Sequence, residues 1–191
     1  NKKIVLYTGQ LFPGRGVETL IEAAKLFQQG VDTYIVGGNA RDIERLKTLN
    51  PNPETLTPVF VGQRPWTEMP VWMKAADVVV VPHSGKGHHT GIGEVSLYYI
   101  SPMKLFEYMA SGRPIVASDI PSIREIVDES MVFFAKADDP RSFADMIQEA
   151  TNNPVEASNK ALKAQQESKK YTWDARARRI ILRMKEVIDS V

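Results

Sequence analysis

The chain has no cysteine among its 191 residues. That excludes a disulfide framework, a thiol nucleophile and any cysteine-based zinc site, and it is compatible with a reducing compartment. No apolar run approaches the ~20 residues of a bilayer span, and no signal-peptide pattern opens the sequence. Charge of either sign is nearly absent in net terms. The 24 Lys and Arg against 23 Asp and Glu leave +1, so no general attraction to nucleic acid or to acidic membranes is expected. There is no Asp-x-Asp pair of the metal-binding type, no internal repeat and no low-complexity tract.

What remains is an ordinary globular composition, 43% hydrophobic and 25% charged, in a length suited to one domain with a full core. The chain opens at Asn1 and enters an apolar run within a few residues. It is therefore expected to be a piece of a longer protein, cut at a domain boundary. Short β-rich apolar runs at 3–8, 33–36, 57–61, 78–81, 114–117 and 131–134 alternate with helical patterns at 16–28, 40–49, 66–75, 102–111, 122–127 and 140–151. Such alternation predicts a Rossmann-like α/β fold, a parallel sheet of about six strands with helices on both faces. Val78 to Val81 are continuously apolar, as a central strand buried on both sides would be. Such sheets bind ligands at the carboxyl ends of their strands. After the break at Asn152-Asn153-Pro154, residues 151–191 read as a helical extension. In its last helix Trp173, Ala177, Ile180, Ile181, Met184 and Ile188 recur at helical spacing, with Arg176, Arg179, Arg183 and Lys185 largely elsewhere. A core stripe under a solvated face is favoured there over a membrane-binding helix.

The most informative stretch runs from Ser101 to Ser118. Ser101 is a good N-cap, and Pro102 is tolerated at the first helical position. Gly112 can close the helix in the left-handed conformation. The start of such a helix offers free N–H groups and a positive dipole end, which suit a diphosphate. Lys104 adds a cation in the first turn, where lysine is normally unfavourable. Glu107, three residues on and on the same face, can accept hydrogen bonds from sugar hydroxyls.

This stretch resembles the donor-binding core of the retaining GT-B glycosyltransferases of group 1, or GT4. These carry a Glu-x7-Glu motif followed by Ala-x-Gly-x-Pro-Val-Val-Ala-Ser. Glu107 matches the second Glu, but Tyr99 stands where the first is expected. The chain is closer to a subgroup reading Ser-Pro-Leu-Lys-Leu-Phe-Glu-Tyr-Met-Ala, to which Lys104 belongs. A second match runs from Tyr7 to Ala23 and resembles the family's first strand–loop–helix. Arg15 stands for a diphosphate-neutralising Lys, and Gln10 stands where many members have Arg. By itself this would read as a glycine-rich turn with a surface Arg.

The resemblance implies the C-terminal half of a GT-B enzyme that transfers a sugar from a nucleotide diphosphate sugar to a glycan or lipid-linked acceptor. Retention at the anomeric carbon is implied as well. It implies diphosphate contacts at Gly9, Gln10, Arg15, Gly16, Met103 and Lys104, and a ribose contact at Glu107. The base is expected at Gly62, Gln63 and Arg64, although Arg64 could equally be a surface residue. Sugar-side candidates are Glu94 (standing in for the missing first Glu), Tyr99 and Ser101. No residue is assigned a catalytic role. No cofactor or metal is expected, and the adjacent His88 and His89 read better as part of a glycine-rich exposed loop at 82–100. Expected partners are the nucleotide-sugar and an N-terminal acceptor domain of the same protein, toward which the closing helix typically packs in this family. Nucleic acid is not expected as a partner. The location is expected to be cytoplasmic, with membrane contact only through the full-length enzyme, and the isolated domain should be inactive alone. Asp77 and Glu125 are expected to be structural, and Trp66 to pack rather than stack on a base. Two rival readings are a GT-B relative with other chemistry, such as an epimerase or phosphorylase, and a non-catalytic doubly wound binding module.

Overall fold

The computed structural model describes residues 2–49, 58–86 and 102–189. In these, strands β1 (Lys3–Thr8), β2 (Val31–Val36), β3 (Val59–Gly62), β4 (Val78–Val81), β5 (Ile115–Asp119) and β6 (Phe133–Lys136) form one sheet in the order β3-β2-β1-β4-β5-β6. Every neighbouring pair is parallel. Strand order therefore reverses between β1 and β4, where Val5 pairs with Val78 and Leu6 with Val79. In a doubly wound sheet that reversal leaves a crevice beyond the strands' carboxyl ends.

The helices are α1 (Val17–Ala24), α2 (Ala40–Lys47), α3 (Met69–Ala75), α4 (Met103–Ser111), α5 (Pro121–Arg124), α6 (Pro140–Asn152), α7 (Pro154–Ser168) and α8 (Trp173–Asp189). Period-two alternation divides the core between the two faces of the sheet. Val5, Tyr7, Val78 and Val80 face Leu20 and Ile21 of α1, Leu46 of α2, and Phe143 and Ile147 of α6. Leu6, Val79 and Val81 face Met73 of α3, Leu105, Tyr108 and Met109 of α4, and Ala164 of α7. Asp77 ties β4 to β1, because its carboxylate accepts from the Ile4 N–H at 2.8 Å and from Lys3 Nζ at 3.1 Å. The expected structural role of Asp77 is thus met.

Three local features depart from expectation. Strand β6 begins two residues late, because Asp128 accepts from the Ser130 N–H at 2.8 Å and from its hydroxyl at 2.6 Å, holding the preceding residues in a turn. Glu125 is exposed, and the ionic work falls on its neighbour. Arg124 grips both oxygens of Asp119 at 2.6 and 2.9 Å and stacks over the Phe134 ring. The stripe along α8 is not core, since no residue of that helix is buried. Among the described residues, no helix is long and apolar enough to cross a membrane.

Candidate functional site

At the switch point the backbone comes unusually close to its neighbours. Gly9, at the end of β1, has φ +130°, and a Cβ there would lie 2.4 Å from Lys104 Nζ. Gly16, just before α1, has φ +71°, and its Cβ would fall 1.4 Å from the Pro82 carbonyl oxygen. Only glycine meets both requirements at low cost. The β1–α1 loop thereby seats on the tip of β4, where the Ser84 N–H donates to the Gly14 carbonyl at 3.1 Å.

Two cations converge over this glycine floor. Helix α4 begins at Met103, so Pro102, expected at the first helical position, is instead the cap, and Gly112 closes the helix as expected at φ 67°. Its first turn carries Lys104 inward, with the ammonium 3.6 Å from the centroid of the Tyr7 ring. Burial, and secondarily the nearby Arg15 charge, push the Lys104 pKa down to about 7, while Glu107 opposes the shift. Arg15 lies over the Phe12 ring at 4.6 Å, and its Nη1 is 3.2 Å from His83 Nε2. Its Nε–H is buried without a hydrogen-bond partner.

The scaffold under these charges is held by tyrosines. The Tyr7 hydroxyl donates to the Gln10 carbonyl at 2.7 Å, and the Tyr108 hydroxyl accepts from the Thr8 N–H at 2.8 Å. Burial raises the pKa of both phenols, so both stay neutral. Glu107 stands one turn along α4 from Met103. Partial desolvation raises its carboxyl above the usual range, and Lys104 partly offsets this.

These residues enclose a cavity of about 310 Å³, lined by Thr8, Gly9, Gln10 and Arg15 from the β1 side, Met69 and His83, and Pro102, Met103, Lys104 and Glu107 from α4. That is enough for part of a small ligand. A second cavity of about 390 Å³ adjoins it, sharing Met103 and Glu107 and walled by Phe106, Tyr171 and Trp173. Among the described residues, no three His, Asp or Glu side chains are gathered to hold a metal ion.

Six of the expected site residues, Gly9, Gln10, Arg15, Met103, Lys104 and Glu107, meet at the first cavity. Gly16 serves it indirectly, by seating the loop. Gly62 lies at the tip of β3, its carbonyl accepting from the Gly37 N–H at 2.8 Å, and Gln63 and Arg64 are exposed beyond it. None of the three lines the cavity. Trp66 does not pack, as it is 83% exposed at the start of a 3-10 turn. Glu94, Tyr99, Ser101, His88 and His89 lie outside the described residues. His83 lines the cavity without having been expected there. Its signal in the sequence is positional, since it closes the central valine strand directly after Pro82.

Fold and site together define a Rossmann-like α/β protein with a cationic, glycine-floored crevice at its switch point. The sequence profile of the family described as glycosyl transferases group 1 matches residues 2–153, and the chain belongs to that family. TuaH of Bacillus subtilis (strain 168), described as a teichuronic acid biosynthesis glycosyltransferase, is 24% identical over 85 residues, covering 44% of this chain and 19% of TuaH. Anabaena HepE, solved with UDP and glucose, superposes with a TM-score of 0.75 at 20% identity, covering 100% of this chain and 49% of HepE. Sucrose-phosphate synthase from Thermosynechococcus elongatus gives a TM-score of 0.79 at 23% identity, covering 100% of this chain and 47% of that protein. The chain thus spans about half the length of these solved relatives, and the likeness extends to the GT-B fold.

Proposed function

We propose that the chain is the donor-binding, C-terminal half of a retaining GT-B glycosyltransferase of the GT4 type. It would act with an N-terminal acceptor domain of the same protein to move a sugar from a nucleotide diphosphate sugar to a glycan or lipid-linked acceptor. The observation that carries this reading is the convergence of Arg15, Lys104 and the start of α4 over the glycine floor. The UDP held by the like-folded HepE supports it.

When the bond from sugar to diphosphate breaks, negative charge grows on the leaving group. Fixed cations and the N–H groups at a helix start, already oriented, stabilise that charge without reorganising. Arg15 offers a planar fork and Lys104 a point charge. Glu107 lies ~6 Å further along the helix axis, at 1.5 Å per residue, which suits a ribose rather than the transferred carbon. The reading requires neither a metal nor a cofactor. The domain would work on the cytoplasmic side, with membrane contact left to the full-length enzyme.

Calorimetric titration with UDP, GDP and the matching nucleosides tests the reading. The diphosphates should bind and the nucleosides much more weakly. Arg15→Ala should remove about 1.5–3 kcal/mol of diphosphate affinity, the worth of a charged hydrogen bond. Equal affinity for nucleoside and diphosphate would sink the phosphate site. The isolated chain, given labelled nucleotide-sugar and acceptors, should show no transfer.

A further inference from the structure

From the contact between Arg15 and His83 we infer that His83 is a positioning residue for donor binding, its neutral imidazole holding the Arg15 guanidinium in the orientation that meets the diphosphate. The inference rests on the donor-site reading above. A guanidinium can only donate hydrogen bonds, so at 3.2 Å from Arg15 Nη1 the His83 Nε2 must be the acceptor. The ring proton then sits on Nδ1 and the imidazole is neutral. Occupying Nη1 leaves the Nε–Nη2 edge of the fork, whose parallel N–H groups match two oxygens of one phosphate. The Nε–H on that edge is the one that is buried without a partner. A folded protein rarely keeps such a group unless something completes it.

The backbone beneath His83 is held for this task. The His83 carbonyl accepts from the buried Ser118 hydroxyl on β5 at 2.6 Å. Pro82, just before it, is pressed against Gly16. Just after it, Asp138 accepts from the Ser84 hydroxyl at 3.1 Å and the Gly85 N–H at 3.0 Å. Asp138 does so at φ 59°, the one non-glycine residue in the left-handed region among those described. Strain of that kind persists where the surroundings over-determine it. The imidazole, itself at the cavity wall, therefore stands on a base tied to β5, to the β1–α1 loop and to the turn after β6.

The test is a double-mutant cycle on this chain, with UDP affinity read by calorimetry. His83→Leu should weaken UDP about tenfold, a charged hydrogen bond's share, while His83→Gln, which keeps an acceptor, should stay within about threefold. In an Arg15→Ala background, His83→Leu should add no further loss. Uridine binding should not change in any of these variants. Nitrogen-15 NMR of the imidazole should show the Nδ1–H tautomer in the parent chain and a loss of that preference in Arg15→Ala. Equal losses from His83→Leu with and without Arg15, or a matching loss for uridine, would overturn the inference, because a merely structural histidine behaves that way. A tautomer indifferent to Arg15 would overturn the contact itself. Failure of the parent chain to bind UDP would overturn the donor reading, whereas UDP binding that His83→Leu leaves intact would overturn this inference alone.

Discussion

Helices α4 and α8 carry the same kind of pattern and come to opposite ends. In α4, Leu105, Tyr108 and Met109 recur at three- and four-residue spacing and are wholly buried. In α8, Ile180, Ile181, Met184 and Ile188 recur in the same way, yet Ile180 is 51% exposed and Ile188 68%. Local propensity does not separate them. What differs is the receiving surface. Helix α4 lies on β4 and β5 with α3 and α7 beside it, whereas α8, which follows the 3-10 turn Lys169–Tyr171, meets no surface that buries any of its residues. An apolar stripe states that a helix has a face to bury, and only the fold around it decides whether burial happens.

The largest expected effect tests the buried side of this contrast. Leu105→Ala should destabilise the chain by about 2–5 kcal/mol, the range for truncating a fully buried leucine. Urea unfolding followed by circular dichroism measures it. A loss under about 1 kcal/mol would mean that α4 is no better anchored than α8, since surface-like changes fall near that size.

Next in size is the site cation that α4 carries. Lys104→Met should cost about 1.5–3 kcal/mol of UDP affinity and also stabilise the fold near neutral pH. The sign follows from linkage. Folded Lys104 titrates at about 7, and its ordinary value is 10.5. Between those values the unfolded chain holds the extra proton, so the parent's stability rises with pH across that window. Below about 7 the burden of a buried charge is present in full. Thermal melts should therefore show the variant ahead of the parent at pH 6, with the lead shrinking by pH 9. In the parent, UDP affinity should hold below pH 7 and fall above it, with proton uptake on binding visible as buffer-dependent heat. A melting temperature of Lys104→Met below the parent's at pH 6 would contradict this account.

Smaller again is the change at the carboxylate one turn on. Glu107→Gln keeps the shape and loses the charge and part of the acceptor capacity. Nucleotide affinity should drop by about 1 kcal/mol, a single hydrogen bond's worth, with the unfolding midpoint unchanged. In a full-length enzyme, turnover at saturating donor should survive. Turnover lost at unchanged donor affinity would make Glu107 chemical rather than a ribose ligand.

Strands β1 and β4 have the same bounds in the structure as in the sequence, because a central parallel strand carries an unbroken apolar run, Ile4 to Tyr7 in β1 and Val78 to Val81 in β4, and little else produces it. The start of β6 was not legible by the same count, since Met131 and Val132 are apolar but are held in the turn that Asp128 makes. Arg15, Lys104 and Glu107 stood out through their motifs. That Lys104 rests on Tyr7 and against Gly9 did not, because segments far apart in sequence meet only once β1 and α4 are packed. His83 was illegible for a related reason. A histidine after a strand has no chemical meaning until Arg15 is beside it, and that neighbour comes from a loop on the other side of the switch point. Trp66 and the α8 stripe are the opposite case, since a large apolar side chain reads as core in the sequence whether or not the fold supplies a surface to bury it.

The smallest expected effect returns to α8. Ile181→Ala and Ile188→Ala should each change the unfolding free energy by no more than about 0.5 kcal/mol, as exposed substitutions do. Both side chains leave more than half their surface open, so truncation removes little that folding had taken out of water. Urea titrations run beside Leu105→Ala would set the two helices on one scale. A cost above about 1 kcal/mol at either position would require a surface packed on α8 in solution. Repeating the melt over a range of protein concentrations would then decide what that surface is. A midpoint that climbs with concentration means a second copy of the chain, because only association makes stability depend on concentration. A midpoint that stays put means α8 folds back onto its own domain, and the contrast with α4 would fail.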